Sequence, residues 1–356
     1  MSARKNRRIA AAHNFYTYNV LSSHLAGANH FRYCDPEDLN ADTRMDRIKD
    51  MLTDEVADES IIGLQEVSVY YANFLHKFFS DNDYYFVSRH YGAAFNDYMG
   101  VGIAIPKSRY EILDMDSKRI GDKLFMPKFK KHHWFLQYFI SFWNVIVNFF
   151  TSIFIYFKLM TKPHDHWWHA KQRWNIAVSM LLKDKKNGDT FWVSTYHMPC
   201  CFRNPDVMLI HSALVLQHVQ DLAKDDTDDM IPYVLMGDFN FKPMDSMYEL
   251  YLEGHIDEKH PERPKMVPGL KFDLSVIPVF SAYKEFFGNE PEYTNNARVQ
   301  ELPHFIECLD YIFLSRKWQV LECLEAGGKK EDVAHPFPDK ENPSDHVPLK
   351  AKLALK

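Results

Sequence analysis

The chain has 356 residues, 46% of them hydrophobic and 25% charged, which is enough apolar material for a large core and excludes a disordered or fibrous chain. A formal charge of -6 and a pI near 6.3 exclude a protein that coats nucleic acid through a uniformly basic surface. Any polyanion must be met by a local basic patch or by metal. Cys34, Cys200, Cys201, Cys308 and Cys323 are an odd set without CxxC spacing, so neither a zinc ribbon nor a disulfide framework is expected, and an intracellular, reducing compartment is. The basic residues 1–8 precede no apolar stretch of signal-peptide length and read as a frayed, solvated end.

In chain order, the first apolar run rich in aromatic and β-branched residues is 15–18, predicted as a strand. Residues 44–56 place Met45, Ile48, Leu52 and Val56 on one helical face. Strands follow at 61–64, 101–105, 176–182 and 191–196. A second helix is predicted at 207–222, with Val207, Ile210, Leu214 and Val219 at helical spacing, then strands at 233–236 and 311–314. Strands and helices are mixed throughout, which favours an α/β domain, and many of the apolar runs end in polar residues, as strands feeding an active-site edge do.

Residues 134–157 contain no Asp, Glu, Lys, Arg or His, a length that as a helix would cross a bilayer. Gln137, Ser141, Asn144, Asn148 and Ser152 nevertheless recur along one helical stripe, and lysines flank the segment. A single crossing would put the motifs before and after it on opposite sides of a membrane. If those motifs build one site, the segment lies in an interface, re-enters as a hairpin, or packs on the protein, and the chain belongs at the cytosolic face of a membrane in the first two cases.

Residues two apart in an extended chain face the same way, so Asp238 and Asn240 in Gly237-Asp238-Phe239-Asn240 present a carboxylate beside an amide. Glu66 ends a buried-looking strand, and Asp345-His346 is an adjacent oxygen and imidazole pair. Asp310 lies inside an apolar run, where an unpaired carboxylate is costly, so it requires a partner. A histidine that it orients and keeps protonated would meet that need.

Taken together, Tyr18-Asn19-Val20, Leu64-Gln65-Glu66-Val67, Tyr196-His197-Met198, Gly237-Asp238-Phe239-Asn240, Leu309-Asp310-Tyr311 and Ser344-Asp345-His346 resemble the ordered motif set of the endonuclease/exonuclease/phosphatase superfamily. Glu292-Tyr293-Thr294-Asn295, followed by Phe305 and Asp310, resembles its deadenylase branch, which includes the carbon catabolite repressor-type nucleases, nocturnin, the Angel proteins and the 2',5'-phosphodiesterase. The resemblance implies a four-layer sandwich of two packed mixed β-sheets flanked by helices, as a single domain over residues 1–356 with an inserted apolar helical segment in 123–169. It implies Mg²⁺, or Mn²⁺ in its place, held by Glu66 with Asn19 and Asp345 close by. Asp238 would orient the attacking water with Asn240, His346 paired to Asp310 would bind the scissile phosphate, and His197 would donate to a phosphate oxygen. Asn19 would thus serve both metal and catalysis. Phe305 would stack on a base beside Asn295, and Phe202 stands where some members carry a proline. The implied activity is phosphodiester hydrolysis on RNA or a nucleotide, as a 3'-exoribonuclease. The alternative is a membrane-associated lipid phosphodiesterase of the neutral sphingomyelinase type, seated by residues 134–157.

Overall fold

The computed structural model describes residues 12–125, 165–225, 229–266, 270 and 272–356. The expected apolar segment 134–157 and most of the insertion lie outside the described residues. Among those described, no helix is long and apolar enough to cross a membrane.

Two six-stranded sheets form the centre. The first has β13 (Trp318–Cys323), β14 (Leu349–Leu355), β1 (His13–Asn19), β2 (Ile61–Val67), β4 (Gly100–Pro106) and β3 (Tyr84–His90) in that spatial order. The second has β5 (Tyr110–Arg119), β6 (Ile176–Asp184), β7 (Thr190–His197), β8 (Tyr233–Asp238), β12 (Asp310–Leu314) and β9 (Phe280–Ser281). Each sheet contains one parallel pair, β1 with β2 and β7 with β8, in otherwise antiparallel surroundings. Both sheets are therefore mixed. A two-stranded ribbon of β10 (Asn295–Ala297) and β11 (Phe305–Glu307) stands apart from them.

The layers follow from which faces are apolar. Phe15, Ile61, Ile103, Val193, Met236 and Ile312 belong to the core between the sheets. On the outer face of the first sheet, Tyr18, Ile62 and Leu64 pack against Met45, Ile48 and Leu52 of α1 (Ala41–Ala57) and Leu75 of α2 (Val69–Asp81). The Asn40 side chain caps α1 and the Ser68 side chain caps α2. On the outer face of the second sheet, Tyr196, Leu235 and Phe313 meet Trp167 of α3 (His166–Gln172), Ile210 and Leu214 of α4 (Pro205–Ala223), and Tyr251 of α5 (Ser246–Glu253). Helices, sheet, sheet and helices make the four layers. A further helix among the described residues, α6 (Ala282–Phe287), follows β9 and places Tyr283 in the core between the sheets.

This arrangement brings the ends of β1 and β2 from one sheet to the ends of β7 and β8 from the other. Asp238 pairs in register with His197 on one side and Asp310 on the other, so three strands place imidazole, carboxylate and carboxylate in one row. Glu66 sits where the β2–β4 register shifts, with φ of 58°. A bulge of this kind re-aims a side chain at a strand end.

Candidate active site

Asn19 joins the two sheets. Its Nδ2 donates to Asp238 Oδ2 at 2.9 Å and to Glu66 Oε1 at 3.3 Å, while its Oδ1 accepts the Leu21 N–H at 3.0 Å. The amide thus turns its NH₂ toward the two carboxylates. Glu66 Oε2 accepts the Ser22 N–H at 3.0 Å. The guanidinium of Arg44, itself wholly buried, donates to the carbonyl oxygens of Val20, Leu21 and Pro343, strapping the loop after β1 to the loop that carries His346.

His346 Nδ1 lies 2.7 Å from Asp310 Oδ2, and its Nε2 lies 3.7 Å from Asp238 Oδ2. Thr294 Oγ1 donates to Asp310 Oδ2 at 2.6 Å and accepts the backbone N–H groups of Leu309 and Asp310. Burial alone would drive the His346 pKa down, but Asp310 and Asp238, with Asp345 behind them, hold it well above its ordinary value. The ring is therefore an imidazolium at neutral pH. Burial raises the Asp238 carboxyl, with Asp310 adding to the rise, while His346 and His197 pull it down.

His197 Nε2 stands 3.5 Å from Asp238 Oδ2 and 4.0 Å from Glu66 Oε1. Its Nδ1 is 2.9 Å from the hydroxyl of Tyr91. An Nε2 facing two carboxylates favours the tautomer that carries its proton there, which leaves Nδ1 to accept from Tyr91. Asn240 gives its backbone N–H to Asp238 Oδ1 at 2.9 Å and its Nδ2 to the Met198 carbonyl at 3.0 Å. Asn295 Nδ2 donates to Asp345 Oδ2 at 3.2 Å.

The structure brings together every residue that the sequence nominated for chemistry. Glu66, His197, Asp238, Asn240, Asn295, Asp345 and His346 line a single cavity of about 1370 Å³, Asn19 bridges two of its carboxylates, and Asp310 stands behind His346. Phe202 and Phe305 lie on the same cavity wall, 56% and 37% exposed, with ring centroids 6.3 Å apart. Sequence reasoning missed Tyr91 and the anchoring roles of Arg44 and Thr294. They act across 106, 299 and 16 positions, and no local pattern announces such partners.

A divalent cation is tested by the donor set. Among the described residues, Asp238, Asp310 and His346 have ligand atoms within 4.8 Å of one another, but the imidazolium already supplies the positive charge there. Asp345 is the better indicator. Burial raises its carboxyl and the Glu66 charge raises it further, opposing His346. A partly buried carboxylate that is disfavoured by a second one beside it fits a hard cation with oxygen ligands.

A model of the endonuclease/exonuclease/phosphatase family matches residues 16–346. The chain is 24% identical over 341 residues to the CCR4-Not complex 3'-5'-exoribonuclease subunit Ccr4 of Candida glabrata, covering 94% of this chain and 36% of that protein. The Saccharomyces cerevisiae subunit of the same name is 26% identical over 353 residues, covering 95% and 38%. The chain thus spans well under half the length of these two relatives. Among solved structures, ANGEL2, described as a 2',3'-cyclic phosphatase, superposes with a TM-score of 0.72 at 19% identity, covering 97% of this chain and 96% of that one. The human nocturnin catalytic domain gives 0.59 at 17% identity, covering 98% and 97%.

Proposed function

We propose, since the chain belongs to the endonuclease/exonuclease/phosphatase family, that it hydrolyses phosphodiester bonds of RNA or of a small nucleotide with Mg²⁺, in the manner of a 3'-exoribonuclease. The observation that carries this reading is the row of His197, Asp238 and Asp310 across three strands, closed by His346 at 2.7 Å from Asp310. The similarity to two 3'-5'-exoribonuclease subunits over nearly the whole chain supports the RNA substrate.

Glu66 and Asp345 would hold the metal, which when bound would supply charge neutralisation and Lewis acidity at the scissile phosphate. Asn19 fixes Asp238 and Glu66 relative to each other through its NH₂ group. Asp238 accepts from the attacking water and orients it, and Asn240 keeps that carboxylate in place through its backbone N–H. His346, kept protonated by Asp310, donates to the phosphate as charge develops in the transition state. His197 directs its Nε2–H to another phosphate oxygen, and Asn295 holds Asp345. Phe305 and Phe202 supply faces on which a base can stack.

A second reading, hydrolysis of a lipid phosphodiester, draws on the apolar rim of the same cavity, where Phe95 is 73% exposed and Phe202 and Leu302 are also exposed. Residues 134–157 would provide the peripheral membrane contact, which co-sedimentation with anionic liposomes measures. The deciding experiment incubates the protein and Mg²⁺ with oligo(A), mixed RNA, DNA and sphingomyelin vesicles. Release of mononucleotides from RNA 3' ends is the expected result. Hydrolysis of sphingomyelin alone favours the lipid reading, and no hydrolysis of any diester contradicts both.

A further inference from the structure

The segment that joins α3 to β6 forms part of the cavity wall through Arg173, Trp174 and Asn175. Asn175 Nδ2 donates to the His197 carbonyl at 2.8 Å, which ties this segment to the catalytic end of β7. Trp174 is 61% exposed. The Arg119 guanidinium lies 4.0 Å from the centre of its indole. Arg119 is itself fixed by bonds from Nε to the Arg173 carbonyl at 3.1 Å, from one terminal nitrogen to the Lys171 carbonyl at 2.9 Å, and by Asp122 at 3.3 Å. A cation therefore covers one side of the indole, and the rest of the ring is left to the cavity it lines.

Arg173 is unusual in another way. Its Nε is buried and has no hydrogen-bond partner, while the side chain bonds to the Cys201 sulfur and the residue as a whole is only partly buried. Among the described residues, no carboxylate forms an ion pair with it. A guanidinium that lines a cavity without a carboxylate partner suits an anionic ligand there, and its planar fork suits phosphate. Arg173 lines the same cavity as Glu66 and Asp238, so the guanidinium shares the space in which the scissile bond would lie.

We propose that Arg173 and Trp174 form a second nucleotide subsite, in which the guanidinium receives a second phosphate of the substrate and the indole carries the adjoining base. This rests on the nucleotide reading given above and adds to it a preference for substrates with more than one phosphate. The second phosphate has two sources, a terminal monoester or the next internucleotide linkage. The subsite is separate from Phe202 and Phe305, which belong to the loop after β7 and to β11.

The test is equilibrium binding with Mg²⁺ in an Asp238→Asn background, where turnover is slowed. The ligands are ApA, pApA and ApApA, each measured with Arg173 intact and with Arg173→Ala. Losses on the order of tenfold or more for pApA only assign the terminal phosphate, and for ApApA only, the internucleotide phosphate. Loss for both while ApA is unchanged supports the subsite with either source. Trp174→Ala, which removes an exposed ring and leaves the core intact, is expected to weaken ApApA by roughly tenfold without changing the unfolding temperature. This second variant keeps the proposal testable if Arg173→Ala fails to fold. No binding with Arg173 intact, no effect of either substitution, or an equal loss for ApA overturns it. Hydrolysis by the unmodified chain is followed in parallel: absence of turnover there contradicts the nucleotide reading, whereas the binding series alone contradicts the subsite.

Discussion

Asp310 is 1% exposed, and its Oδ1 has no hydrogen-bond partner, while Oδ2 serves both His346 and Thr294. Such a carboxylate is tolerated in the core because it faces an imidazolium. Asp310→Asn keeps the shape and removes the charge that holds His346 protonated. We expect the rate to fall by about a hundredfold or more, with little change in KM. Steady-state kinetics on a folded variant checks this, and a loss under about threefold would sink the dyad. The need for a partner at Asp310 was legible in the sequence, because a lone acid among apolar neighbours is a physical anomaly. Tyr91 carried no such anomaly: a tyrosine near a strand end is unremarkable until folding sets its hydroxyl beside His197.

At the scale of elements, the site depends on backbone conformations that few residues adopt. Glu66 and Asn240 have φ of 58° and 52°, each turning a functional side chain at the end of a strand. Gly237 has φ of 147°, and a Cβ there would run into the Tyr196 carbonyl oxygen of the neighbouring strand β7. Gly237→Ala is therefore expected to destabilise the protein by roughly 3 kcal/mol, through loss of the β7–β8 pairing that sets His197 beside Asp238. An unchanged denaturant midpoint would contradict this. Contiguous apolar runs revealed β1, β2, β4, β6, β7, β8 and β12. β14 escaped because it alternates, with Leu349, Ala351 and Leu353 buried between the lysines 350 and 352, and a short period-2 pattern is weak without its partner strands. β10 and β11 span three residues each, too few for any periodicity. The Asn295 and Phe305 positions on them were reached only through the family resemblance.

For the whole molecule, the core itself contains a pH sensor. His211 is fully buried, with its Nε2 donating to the Ala170 carbonyl at 2.8 Å and its Nδ1 3.0 Å from the Tyr196 hydroxyl. Burial drives its pKa down from 6.5 to about 4. The unfolded chain then takes up this proton before the folded one does as pH falls. The associated stability is complete above about 6.5 and is lost progressively down to about 4, amounting to roughly 3 kcal/mol. Unfolding midpoints between pH 7 and 4 should fall in the native chain and fall less in His211→Gln. Parallel slopes would show that other groups govern acid unfolding. The four-layer architecture was foreseen through the ordered motifs, whereas this buried imidazole was not. It lies inside a helix whose period was read only for its aliphatic residues.

Metal-dependent phosphodiester hydrolysis at one site spanning both sheets is tested most directly with a short RNA substrate. Its turnover is measured with Mg²⁺ and then with excess chelator, in the native chain and in folded Glu66→Gln and Asp238→Asn variants. Glu66 contributes from the first sheet and Asp238 from the second, and Asn19 joins them. Turnover should require the metal, vanish with chelator, and fall by about a thousandfold or more in each variant. Undiminished activity in chelator, or near-native metal-dependent activity in either folded variant, would contradict it.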